Sequence, residues 1–92
     1  MTSELGPTIQ GVATATLHKD ERETVTYHKI NAGATFEVHS TGGIEVLVLE
    51  GEVTESDDVL RKGAWLRIPE DHTMSAVAGM QGAQIWMKTG HL

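Results

Sequence analysis

The sequence predicts an all-β domain, a small barrel or sandwich, and two observations lead to this prediction. Apolar residues recur at every second position far more often than at every third or fourth, which is the period of β-strands. Ten glycines are spread along the 92 residues and divide the alternating segments into short pieces. Closing about seven or eight such strands into a barrel or sandwich would remove exposed sheet edges.

The first two predicted strands are defined by alternating side chains. Residues 23–30 are rich in β-branched residues, and their alternation places His28 on the face opposite to the tyrosine. A turn follows, and residues 35–39 alternate again, with Val38 and His39 on opposite faces. His39 therefore marks the end of the second predicted strand.

The remaining strands are separated by turn-forming residues. Residues 44–49 are apolar on both faces apart from Glu45, as expected for a strand buried inside a barrel. Glycine and acidic residues predict turns at 50–52, 56–58 and 62–63. Further strands are expected at residues 64–68, 74–77 and 83–88. Residues 1–11 are expected to form a loose arm, so that a single barrel domain spans residues 12–92.

Composition argues against several classes of function. Thirteen acidic residues against seven basic ones give a net charge of −6 with histidine neutral, which disfavours nucleic acid and anionic membranes as partners. The absence of cysteine excludes disulfides, thiolate nucleophiles and cysteine-ligated metals. The first 11 residues lack the basic and apolar segments of a signal peptide, so a cytoplasmic location is expected. A chain this short has a small core, which favours a homodimer.

Two spacings carry a resemblance to a known superfamily. Gly33 is followed after five residues by His39, and Gly63 is followed after five residues by Pro69. Both spacings match the two motifs of the cupins. Three segments are similar to the cupin domain of ChrR-type anti-sigma factors: residues 42–51, 63–69 and 85–92. The resemblance implies a cupin-type double-stranded β-helix, or jelly-roll, barrel, similar to the second, metal-poor unit of proteins with tandem ChrR-like cupins.

The resemblance also implies where a metal would be bound. In cupins, histidines and a carboxylate on adjacent strands converge on one divalent ion. His39 matches the first of these positions, whereas Thr41 and Met74 stand where two further histidines are expected. Glu45 has the motif spacing from Thr41, although a one-residue gap would instead place Ile44 at the glutamate position.

Two interpretations of this partial ligand set remain open. In one, His39, Glu45 and His72 hold Zn, Fe, Mn or Ni, and the protein is a dioxygenase- or isomerase-like enzyme for a small polar substrate. In the other, which we prefer, no cofactor is bound, and a non-catalytic homodimer senses a small ligand or serves regulatory interactions. Candidate residues of the ligand pocket are Thr41, Met74, Trp65 and Trp86. Whether the protein is an enzyme is left open by the sequence.

Overall fold

The computed structural model describes residues 5–90, and these residues form an antiparallel β-fold without a helix. The strands are β1 (Val12–Lys19), β2 (Glu23–Ile30), β3 (Thr35–Ser40), β4 (Ile44–Glu55), β5 (Asp58–Arg61), β6 (Trp65–Ile68) and β7 (His72–Gly90). The predicted all-β class is therefore confirmed. Between residues 5 and 90, no helix is long and apolar enough to cross a membrane.

Two long strands, β4 with 12 residues and β7 with 19, connect two layers of sheet. The larger layer contains, in order, β1, β2, the second half of β7, the first half of β4, and β6. The smaller layer contains β3, the first half of β7, the second half of β4, and β5. Because both layers share β4 and β7, they face each other as the two sheets of a jelly roll.

The turn predicted at residues 50–52 is wrong, because β4 runs through these residues. Gly51 has a φ of 73° and lies against the backbone carbonyl of Gly82, so β4 continues through an irregular, bulged register instead of turning back. The segments predicted separately at 74–77 and 83–88 are both parts of β7. Glycine gives the same sequence signal at a bulge as in a turn, which explains both errors.

The turn predicted at residues 56–58 is confirmed. Ser56 and Asp57 both have positive φ and form the two-residue loop of the β4–β5 hairpin. Strand β1 is an addition to the predicted strands. Its buried apolar positions are Ala13 and Ala15, and alanine gives only a weak strand signal.

The hydrophobic core lies between the two layers. Its fully buried large side chains are Ile30, Ile44, Val46, Val48, Met74 and Ile85. These residues come from β2, β4 and β7, where they occupy alternate, inward-facing positions. Their burial fixes which face every neighbouring side chain on these strands occupies.

The barrel is open on the side where β1 faces β3. Among residues 5–90, β1 pairs with β2 alone and β3 with β7 alone, so the two strands do not join. The segment before β1 lies beside this opening. The N–H of Gly6 donates to the carbonyl of Thr14 at 3.0 Å, and Ile9 pairs with Val12 across a tight turn.

Candidate functional site

The inward positions assigned by the metal motif hold apolar side chains. Ile44 is fully buried and Met74 is 1% exposed, and both belong to the hydrophobic core. Because side chains alternate along β4, Glu45 lies on the outer face, in register with Arg67 on one side and Lys88 on the other. The structure therefore agrees with the one-residue gap, which places Ile44 at the interior position.

His39 and His72 lie on opposite faces of the β3–β7 pair. His39 is exposed on the outer face, where its Nδ1 is 3.0 Å from the hydroxyl of Thr73. His72 is exposed at the rim of the barrel, and its Nδ1–H donates to the carbonyl of Glu70 at 2.7 Å. Within residues 5–90, the trio of His39, Glu45 and His72 does not form a group of metal-ligating atoms.

The part of the chain that the structure describes contains one group of ligand atoms within 4.8 Å of one another: His18, Asp20 and Glu23, around the β1–β2 turn. Asp20 already accepts hydrogen bonds from the His18 ring at 3.0 Å and from the backbone N–H groups of Arg22 and Glu23. These bonds, that of His18 first, lower the pKa of Asp20 to about 2. Glu23 forms an ion pair with Lys88 at 2.8 Å. The group therefore orders the turn, and a divalent cation would have to compete with these contacts.

A divalent metal at the position of the cupin motif does not fit the inward side chains found there. On β3, the half-buried residues that share the inner face with Phe36 are Val38 and Ser40. The facing positions on β4 and β7 are Ile44 and Met74. Zn, Fe, Mn and Ni are bound by imidazole, carboxylate or thiolate groups, none of which these four residues carry.

The residues predicted to line a ligand pocket are not brought together in one place. Met74 lies in the core, and Thr41 lies in an exposed turn between β3 and β4. Trp65 and Trp86 do meet, edge to face, with ring centroids 5.7 Å apart. They meet on the outer face of the larger layer, where Trp65 is 60% exposed.

This outer face carries an apolar row that crosses five strands. The pairing register places side by side Ala15, which is buried, the half-buried Tyr27, Trp86 and Leu47, and the exposed Trp65. We call these five residues the aromatic row. The hydroxyl of Tyr27 donates to Oε1 of Gln84 at 2.7 Å, which restrains the tyrosine ring. A contiguous apolar strip of this kind on an outer face is typical of an interaction surface.

A second row runs beside the aromatic row, two residues further along the same strands. It consists of Val25, Lys88, Glu45 and Arg67, and we call it the charged row. Glu45 and Arg67 are opposite each other on β4 and β6, yet neither has an ion-pair partner within 4.0 Å among the described residues. Beside the apolar strip, the charged row thus presents one acidic and one basic group, Glu45 and Arg67, without an ion-pair partner among the described residues.

A buried imidazole lies next to the opening between β1 and β3. His28 is 5% exposed, and its ring centroid is 4.5 Å from that of Phe36. Its Nδ1 lies 2.8 Å from the hydroxyl of Thr14, and its Nε2 lies 2.7 Å from the hydroxyl of Thr26. Burial lowers the pKa of His28 to about 4, so the ring is neutral at neutral pH.

Motif spacing does not single out His28. The available signal was strand alternation, since His28 shares the inward face of β2 with Thr26 and Ile30. That signal identifies a buried histidine, whereas its contact with β1 and β3 depends on the tertiary fold.

The layered fold and the placement of its core define a cupin-type jelly-roll barrel. The chain belongs to the family of ChrR cupin-like domains, whose family model matches residues 2–92. The resemblance drawn from the motif spacings is therefore confirmed. No curated protein sequence matches the chain.

Solved cupin structures are similar to this chain in fold. An RmlC-like cupin from Shewanella frigidimarina NCIMB 400 has a TM-score of 0.83 at 18% identity, covering 98% of this chain and 85% of that one. A chain of the Rhodobacter sphaeroides complex of SigE with the anti-sigma ChrR has a TM-score of 0.84 at 18% identity, covering 96% of this chain and 49% of that one. The polyketide cyclase RemF from Streptomyces resistomycificus has a TM-score of 0.75 at 15% identity, covering 98% and 75%. At these identities, the similarity establishes the fold.

Proposed function

We propose that this protein is a non-catalytic cupin barrel that acts as a homodimeric binding module. The observation that carries this proposal is the pair Ile44 and Met74, which fill the inward positions that the motif reserves for a carboxylate and an imidazole. Their side chains stabilise the core by burying apolar surface. A metal ion at that point would be desolvated without compensating ligands, which is strongly unfavourable.

A thermal-shift titration with Zn, Mn, Ni and Fe(II) at about pH 7.5 and pH 5.5 tests the absence of an interior metal site. A ligand that binds the folded state alone raises the melting temperature with concentration. We expect no saturable shift at stoichiometric metal, and the same result for His39→Ala. Asp20→Asn serves as the control, because it removes the surface group of His18, Asp20 and Glu23.

A stoichiometric shift that weakens at the lower pH and disappears in His39→Ala would contradict the proposal. Such a result would support the metal-dependent enzyme instead, because protonated histidines no longer bind metal. A shift that disappears in Asp20→Asn alone would be assigned to the surface group and leave the interior without a metal.

The proposed partner is a second copy of this chain, bound through the outer face of the larger layer. The aromatic row exposes Trp65 there, and burial of large aromatic side chains dominates the energy of many interfaces. A small barrel has a limited core of its own, so association supplies additional buried apolar surface.

The two rows of this face are compatible with two-fold symmetry. In an isologous interface, residue i of one copy contacts residue j of the other, and the reverse contact is also made. A two-fold axis parallel to the strands and midway between β4 and β6 sets Leu47 against the partner's Trp65. The same axis sets Glu45 against the partner's Arg67. This pair of opposite charges is therefore formed twice in each dimer.

A further inference from the structure

The opening between β1 and β3 forms a groove of about 660 Å³. Its walls include Val12 and Thr14 of β1, Phe36 of β3, and Pro7 and Ile9 of the segment before β1. Four of the nine lining residues have apolar side chains, among them the aromatic ring of Phe36, and four are polar: Gln10, Thr14, Thr35 and Glu37. A groove of this composition suits a small molecule with an apolar body.

The polar end of the groove is organised by His28. A neutral imidazole has one N–H donor and one acceptor nitrogen, so each neighbouring threonine must play a different role. Thr26 is 8% exposed, and its hydroxyl makes no other hydrogen bond among the described side chains. The arrangement that satisfies Thr26 has its hydroxyl donating to Nε2, while Nδ1–H donates to Thr14.

This arrangement leaves the hydroxyl proton of Thr14 free to donate into the groove. Thr14 is exposed and is one of the residues that line the groove, so its free proton is accessible to a bound molecule. The hydroxyl is held in place by the ring behind it, which reduces the entropy lost on binding. The natural complement is a carbonyl or hydroxyl oxygen.

The charges around the groove select against anions. None of its nine lining residues is cationic, and one of them, Glu37, is acidic. The net charge of the chain is −6, which repels anions further.

We propose that this groove binds a small uncharged molecule with an apolar or aromatic body, whose carbonyl or hydroxyl oxygen accepts a hydrogen bond from Thr14. This inference goes beyond the proposed dimer by naming a class of small ligand. Ligand binding in the groove requires neither the dimer nor the absence of an interior metal. A negative result for the groove would therefore leave those two proposals standing, and the reverse also holds.

Benzamide and benzoate are the probes for this proposal, because they share one planar shape and differ in charge. Two-dimensional NMR titration of the labelled protein should show benzamide shifting the amides of Thr14, Phe36 and Glu37 with saturation at about millimolar concentration, as expected for a fragment of this size. Benzoate should bind at least tenfold more weakly. Equal binding of benzoate, or saturable shifts that map elsewhere, would overturn the proposal. So would the absence of saturable binding by benzamide.

Two further measurements separate binding at Thr14 from a general apolar effect. Thr14→Val should weaken the binding of benzamide at least fivefold. Thr54→Val, at an exposed position of β4, should leave the affinity for benzamide unchanged. Unchanged binding in Thr14→Val would contradict the assigned hydrogen bond. If Thr14→Val fails to fold, the NMR chemical shifts of the imidazole nitrogens of His28 in the unmodified protein provide the test instead. They should show the tautomer protonated at Nδ1. A tautomer protonated at Nε2 would overturn the assignment.

Discussion

His28 differs from the exposed histidines at positions 18, 39 and 72 by its burial and by the two hydroxyls that hold its ring. From spacing alone, His39 was the better candidate for a site residue, because it matches the first histidine of the cupin motif. The spacing of a motif identifies the residues of a site only if each residue keeps its position along the strand. A shift of one residue moves a side chain to the other face, and this is the difference between Ile44 and Glu45 on β4.

The neutral state of His28 predicts a pH dependence of stability. Burial lowers its pKa from 6.5 to about 4, so as the pH falls the unfolded chain takes up this proton before the folded chain does. The contribution of His28 to the free energy of unfolding is complete above about pH 6.5 and is lost progressively toward pH 4. Urea unfolding at several pH values should show this decline, and His28→Gln should flatten the curve within that window.

The matched control for this measurement is His39→Gln, which changes an exposed histidine. Its pH profile should follow that of the unmodified protein. If His28→Gln and the unmodified protein lose stability in parallel between pH 6.5 and pH 4, the buried neutral imidazole does not account for the decline.

At the level of elements, short strands with regular alternation were predictable, and long strands with bulges were not. Strands β2 and β3 follow from side chains that alternate without interruption. In β4 and β7, glycines interrupt the pattern at positions where the backbones of the two strands approach closely. The information that separates a bulge from a turn lies in the partner strand, which local sequence does not contain.

Gly51 therefore provides a test of the β4–β7 bulge. A Cβ at this position would collide with the carbonyl of Gly82, and the φ of 73° adds backbone strain. We expect Gly51→Ala to lower the free energy of unfolding by roughly 3 kcal/mol or more, from strain and overpacking together. Gly63→Ala is the control, since its φ is 89° but nothing lies within 4 Å of the added Cβ. In Gly63→Ala the free energy of unfolding should fall by roughly 1 kcal/mol. An equal decrease in both variants would contradict the close contact between Gly51 and Gly82.

At the level of the whole molecule, the jelly roll and the cupin family were predictable because several motif segments occur in the expected order. The outer face of the larger layer was not predictable, because its aromatic row combines single residues from five strands far apart in sequence. Trp65 and Trp86, two of the candidate pocket residues, meet on this outer face.

The proposed dimer is tested by charge reversal across the two-fold axis. Light scattering should give the mass of a dimer for the unmodified protein and a dissociation constant at least tenfold weaker for Arg67→Glu, which faces Glu45 of the other copy with a like charge. Combining Arg67→Glu with Glu45→Arg should restore association. Arg61→Glu, on β5 and outside this face, should leave the mass unchanged. A monomeric mass for the unmodified protein well above micromolar concentration would contradict the dimer, as would a double variant no better than Arg67→Glu.

The 19 residues of β7 have a consequence for how the chain folds. During synthesis, β1 can pair with β2, and β4 can pair with β5 and β6, as soon as these segments leave the ribosome. Strand β3 has no partner in the described chain until β7 emerges, and β2 and β4 are joined only by β7. The two layers are therefore closed by the last of the seven described strands to be made, in a slow step dominated by contacts distant in sequence. Until that step, the unpaired edges of β2, β3 and β4 are exposed to other nascent chains.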